Sequence, residues 1–135
     1  MMSIDINIGE NNKTGIHGGL VGSSHKIAPL VYHVARILEA LFPIISEKSC
    51  FIDGYEFIDI SELDSDEFMV VYKLTKIEFD RYCNINNDLE NVKTLKNIGD
   101  YVAKNWLIYM WFLEHDERFT GEEIREFDLY TSELG

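Results

Sequence analysis

The stretch from Leu30 to Phe42 (LVYHVARILEALF) does most to restrict what this chain can fold into. Arg36 and Glu39 are its only charges, so it is apolar on most sides. A helix of that character belongs in the middle of a fold, with other elements packed around it. Pro29 suits the first turn, where a missing N–H costs little, and Pro43 stops the helix. The spacing therefore predicts a central helix over 28–42.

The remaining elements are expected to surround that helix. Residues 3–8 (SIDINI) alternate apolar and polar, as a short strand does. Residues 9–24 (GENNKTGIHGGLVGSS) carry five glycines and show neither helical nor strand period, which reads as a glycine-rich loop. Residues 49–60 (SCFIDGYEFIDI) read as a hairpin about Asp53-Gly54, because both central turn positions need φ > 0. A helix is expected from Asp64, where Asp64 and Glu67 have capping-box spacing. Phe68, Val71, Tyr72, Thr75, Phe79 and Tyr82 then share one face. A strand over 69–79 competes, because Val70, Val71, Thr75 and Ile77 are β-branched. Further helices are expected at 88–98 with Gly99 as its cap, at 101–115 capped by Asp100, and at 121–129 opened by Thr120 and Glu123. The fold class is α+β, mainly α. It is one domain over 1–135, with four to five helices, a small hairpin and an N-terminal strand.

Composition excludes several classes. The chain is 46% hydrophobic and 13% aromatic with two prolines, too apolar for a disordered acidic tail. Cys50 and Cys83 are too few for a disulfide framework, and their spacing is no zinc pattern. They read as reduced thiols in or near the core, with a single bridge as the alternative. The start, MMSIDINIGENNK, lacks a basic segment followed by an apolar one, so no secretory signal is expected. The longest wholly apolar run, Trp106 to Leu113, spans only about 12 Å as a helix, far short of a bilayer. The expectation is a soluble, cytoplasmic protein.

No motif for catalysis or cofactor binding stands out. The glycine-rich region lacks the Lys-Ser/Thr ending of a phosphate loop and does not follow GxGxxG. His25 and His33 are about 80° apart on a helix and form no metal-binding pair. His33 reads as a core or near-core residue on the central helix. From Asp59, the sixth position of a calcium loop falls on Asp64, where that motif needs glycine. No catalytic residue, metal or cofactor is assigned.

Charge carries the functional reading. Residues 53–72 hold seven acids (Asp53, Glu56, Asp59, Glu62, Asp64, Asp66 and Glu67) and no Lys or Arg. Residues 105–135 hold eight acids against Arg118 and Arg125, and the chain's net charge is −12. Such patches repel nucleic acid and anionic lipid and attract basic surfaces. Asp53, Tyr55, Glu56, Asp59, Glu62, Asp64, Asp66 and Glu67 form the first candidate contact surface, carboxylates around an aromatic anchor. Trp111, Glu114, Asp116, Glu117, Glu122 and Glu123 form the second. Trp106, Tyr109, Trp111 and Phe112 exceed what one buried helix face can hold, so one tryptophan is expected to face solvent or a partner. Reversing Asp59, Glu62, Asp64 and Glu67 to Lys is expected to abolish binding and leave the fold intact.

Small size, clustered acids, absent catalytic motifs and the acidic, aromatic stretch from Phe51 to Asp64 (FIDGYEFIDISELD) together resemble the immunity proteins of bacterial toxin systems, in particular those of contact-dependent growth inhibition. The resemblance implies a non-catalytic protein in tight complex with a cognate basic toxin domain, a nuclease, in the same cell. A nucleic-acid mimic or regulatory adaptor on a basic protein is the alternative. An enzyme using the glycine loop and a histidine is the third reading.

Overall fold

The computed structural model describes residues 3–10, 17–51, 57–85 and 101–122. In chain order these form β1 (Ser3–Glu10), β2 (His17–Ser23), α1 (Ser24–Leu41), α2 (Pro43–Ser49), β3 (Phe57–Asp59), α3 (Ser65–Ile85) and α4 (Tyr101–Glu114). The fold is α+β and mainly α. The strands make one sheet in the order β2-β1-β3, with β1 antiparallel to β2 and parallel to β3.

The central helix is there, with shifted ends. It starts at Ser24 rather than at Ala28, which places Pro29 inside it. Proline has no N–H, so α1 forgoes one backbone bond at that point. Val31, Val34, Ala35 and Leu38 recur at helical spacing and are buried. α1 contacts α2, α3, α4, β1 and β2. His33, in contrast to the core position expected for it, is exposed. It lies off the buried stripe, on the side that carries Tyr32 and Arg36. Pro43 ends α1 and also opens α2, a helix absent from the sequence reading. The fixed φ of proline suits a first helical position as well as it forbids a late one.

Two other expectations are corrected. Residues 17–23 are a strand rather than loop, in register with β1 from Ser3↔Ser23 to Glu10↔His17. Three of the seven residues are glycines, so the alternation that marks a strand was hidden while the backbone ladder formed anyway. Of the hairpin expected over 49–60, the described ends differ from the expectation: Ser49 closes α2, and β3 pairs in parallel with β1 through Asp5↔Phe57, Ile6↔Ile58 and Asn7↔Asp59. The Asp53-Gly54 turn, the helix at 88–98 with its Gly99 cap, the Asp100 cap, and the helix at 121–129 beyond Glu122 lie outside the described residues.

A bulge interrupts the β1–β2 ladder between Asn7 and Gly9. Gly9 sits there at φ 110°, a value side-chain-bearing residues rarely adopt. A Cβ on Gly9 would also stand 3.1 Å from Ser61 Cβ. The inner sheet face contributes Ile6, Ile8 and Ile58 to the core, joined by Ile60.

α3 is a helix throughout 69–79, so the strand competitor loses there. Its buried face is Phe68, Val71, Tyr72, Thr75 and Phe79, with Tyr82 half-buried, as the spacing predicts. α4 departs from expectation. Trp106 and Trp111 are 2% and 8% exposed, so neither faces solvent. Trp106 packs on Phe79 and Tyr82, and Trp111 packs on Phe112 and His115. Enclosure on that scale holds the Tyr109 phenol far above its usual pKa, chiefly by desolvation.

The end of α2 makes a local prediction. The Phe51 N–H donates to the Ser46 carbonyl at 3.1 Å and the Cys50 N–H to the Glu47 carbonyl at 3.4 Å. This is a Schellman closure with Phe51 buried behind it. Its left-handed position holds Cys50 (φ 54°, ψ 28°) where glycine is the usual occupant. Cys50 is a free, half-buried thiol. Cys50→Gly is expected to raise stability by about 1 kcal/mol, since relief of the left-handed strain outweighs the added unfolded-state freedom. Urea unfolding checks it, and a lower midpoint would refute it.

Candidate functional site

The acids from Asp59 to Glu67 meet where β3 passes through a short turn into α3. The Ile60 N–H extends the sheet by donating to the Asn7 carbonyl at 2.9 Å, and the Leu63 N–H closes a turn on the Ile60 carbonyl at 3.3 Å. Asp64 then caps α3. The Glu67 N–H donates to Asp64 Oδ1 at 2.8 Å, and the Asp64 N–H donates to Glu67 Oε1 at 3.0 Å. The capping box read from sequence is thus present in both halves.

These acids do different jobs. Asp59 is half-buried and its Oδ1 accepts from the Ser61 hydroxyl at 2.6 Å, the Ser61 N–H at 3.0 Å and Asn7 Nδ2 at 3.2 Å. It holds the turn and the sheet edge together. Glu67 accepts from Lys48 Nζ at 2.7 Å, tying α2 to α3. Glu62, Asp64 and Asp66 are exposed. Lys48 is raised above its usual pKa, first by the hydrogen bond to Glu67 and then by the charges of Glu67, Asp64 and Glu62. One ammonium therefore stands in the field of at least three carboxylates, and the corner stays negative. Asp53, Tyr55 and Glu56 lie outside the described residues.

The residue that shapes this corner escaped the sequence reading. The Arg118 guanidinium donates to the carbonyls of Ile60 (2.8 Å), Leu63 (2.9 Å), Ser61 (3.4 Å) and Ile8 (3.0 Å). It also forks onto both oxygens of Asp116 at 2.9 Å. Its carbon lies 4.4 Å from the centre of the Phe68 ring. One planar cation thus joins β1, the acidic turn, the start of α3 and the segment after α4. Its partners are mostly distant backbone carbonyls, which leave no mark in sequence. The only available signal was that Arg118 is one of just two arginines in an otherwise acidic stretch.

The second candidate group does not form one surface. Trp111 is buried, and Glu114 is 2% exposed and accepts from the Tyr72 hydroxyl at 2.7 Å. Asp116 is paired with Arg118. Glu117 and Glu122 are exposed, and Glu123 lies outside the described residues. Burial of Trp111 and Glu114 follows from α4 packing on α1, α3 and β2 at once.

The Gly18–Gly22 backbone is occupied in the β1–β2 ladder rather than free to cradle a phosphate. His115 stacks on Trp111 at 3.9 Å, with Nδ1 2.8 Å from the Trp111 carbonyl oxygen. Among the described residues no three His, Cys, Asp or Glu side chains converge as metal ligands. No helix among them is long and apolar enough to cross a membrane. No model of a known protein family matches the chain, and no curated protein or solved structure matches it.

Proposed function

We propose that this chain is a non-catalytic acidic binding protein, an immunity protein that neutralises a cognate basic toxin domain of nuclease type in the cytoplasm. The observation that carries the reading is the rigid acidic corner. Glu62, Asp64 and Asp66 are exposed on a turn and helix start that are fixed by the capping box, by Asp59 and by Arg118. A backbone already held in place needs no ordering when its carboxylates meet Lys and Arg, so only side-chain entropy opposes docking. A negative patch also accelerates encounter with a cationic cleft and replaces the phosphates that such a cleft binds. Glu62, Asp64 and Asp66 lie within five residues of one turn and helix start, and such clustering favours an inhibitor over a nucleic-acid mimic.

The roles of individual acids sharpen the test. Asp59 and Glu67 belong to the scaffold, so reversing them confounds binding with folding. Glu62 and Asp66 have exposed side chains that serve no cap or turn among the described interactions. Glu62→Lys with Asp66→Lys is expected to leave the melting temperature within a few degrees of wild type, because exposed charges contribute little stability. Association with a basic partner captured from the organism's own lysate is expected to slow by about tenfold or more at low salt. A stoichiometric partner that binds the double variant as fast as wild type would rule out this corner as the interface. Absence of any basic partner would count against the immunity reading itself.

A further inference from the structure

Where α1 passes into α2 the surface turns apolar. Leu41 and Ile44 are each 69% exposed, and Pro43 between them is exposed as well. Phe42 and Ile45 turn the other way and join the core. A single exposed leucine is ordinary, but three exposed apolar side chains within four residues form a patch. Neither Leu41 nor Ile44 is needed to stop α1 or to start α2, because Pro43 does both. The patch continues into the acidic corner. Ile44 and Lys48 are one turn apart on α2, with Cβ atoms about 6 Å from each other. Lys48 Nζ is 2.7 Å from Glu67 Oε1, and Glu67 is the partner of Asp64 in the capping box. A single ion pair thus links Ile44 to the helix start that carries the exposed Asp64 and Asp66.

The charges around the patch decide what covers it. Glu39 and Glu47 are exposed to either side of it, on α1 and on α2. Of the cations close in sequence, Lys48 is held by Glu67, and Arg36 lies more than a turn back on α1. A second copy of a chain with net charge −12 would bring two acidic rims together, and their repulsion opposes that pairing. Anionic lipid is repelled for the same reason, whereas a basic surface is drawn in. We propose that Leu41, Pro43 and Ile44 are the apolar half of one contact surface with Glu62, Asp64 and Asp66, and that this surface takes a basic protein segment whose aliphatic side chains are flanked by Lys or Arg. The two halves divide the work. The carboxylates set the rate of encounter, and the desolvated aliphatic contact sets how long the complex lasts. The inference rests on the reading of the corner as a contact for cations, and it adds a selection that carboxylates alone cannot make, that of an apolar neighbour beside the cations.

The full chain, titrated at low salt with the capped peptides KKALLAKK and KKASSAKK and followed by NMR, tests it. The peptides are equal in charge and differ only in the central pair. Both are expected to shift the amides of Glu62, Asp64 and Asp66. Only the leucine peptide should shift the methyls of Leu41 and Ile44, and it should bind about fivefold more tightly. In the double variant Leu41→Ser with Ile44→Ser, the two peptides should bind alike, at the affinity of the serine peptide. Both side chains are exposed, so the fold survives their removal, and unchanged amide signals from the corner in the free variant check this. Equal binding of the two peptides to wild type, or an advantage of the leucine peptide that persists in the double variant, would overturn the proposal and leave the corner standing. If neither peptide shifts the corner amides, the cation reading falls and this inference with it. Sedimentation of the free chain covers a second copy: a dimer that the double variant dissolves would assign the patch to self-association and overturn the proposal. Binding to phosphatidylcholine vesicles that the same variant loses would overturn it in favour of lipid.

Discussion

Arg118→Ala is expected to cost about 3 kcal/mol of stability, more than any other single substitution of a charged residue in the described structure. The Arg118 side chain is 17% exposed and its partner Asp116 12%, so the pair is largely withdrawn from water. Truncation leaves Asp116 without its fork, removes donors from the carbonyls of Ile8, Ile60, Ser61 and Leu63, and uncovers the Phe68 ring. Breaking a buried pair by deleting one partner costs about 3–5 kcal/mol, and bonds to charged groups are each worth about 1.5–3 kcal/mol. These contributions do not add, and water refills part of the site because the arginine is not fully enclosed, which sets the lower figure. Arg118→Lys should recover less than half of the loss. A single ammonium cannot fork onto Asp116 while reaching carbonyls on β1 and on the turn. Urea unfolding reads the loss, and amide exchange at Ser61 and Leu63 should quicken in the folded state. A loss below about 1 kcal/mol would mean that water substitutes fully for the guanidinium and that the turn holds its own shape.

The difference between Arg118 and Glu67 shows which parts of this fold were legible in the sequence. The capping box at Asp64 and Glu67 depends on residues three apart, and the buried stripe of α3 repeats at helical spacing. Both are local, so both could be read. α1 was legible for the same reason, although its start was placed four residues late because Pro29 was taken as a first-turn residue. Pairing between distant segments was not legible. β3 lies parallel to β1 across more than fifty residues, and three glycines masked the period of β2. At the acidic corner, composition identified the carboxylates but could not separate those that build the turn from those that face solvent. Asp59 and Glu62 look alike in sequence, yet one accepts three hydrogen bonds and the other is exposed. The same limit applies to Trp111, whose burial depends on which elements surround α4.

Leu38→Ala is expected to destabilise the protein by about 2–5 kcal/mol, and it tests whether α1 is the centre of the core. Leu38 is wholly buried on the stripe that includes Val31, Val34 and Ala35. Removing its branched end forfeits the transfer free energy of the deleted methyl groups and leaves a void. The surroundings resist collapse, because α1 is held at once by α2, α3, α4 and the sheet. Leu41, one turn later on the same helix, is the control: it is 69% exposed, and Leu41→Ala should change stability by no more than about 0.5 kcal/mol. The two substitutions are chemically identical, and the Leu-to-Ala difference in helix propensity is only about a few tenths of a kcal/mol at either position, so it cannot account for a loss of several kcal/mol. What remains is packing. If the two losses were similar, or if Leu38→Ala cost less than about 1 kcal/mol, α1 would be a peripheral helix. The corner, built on the start of α3, would then owe its placement to α4 and the sheet instead.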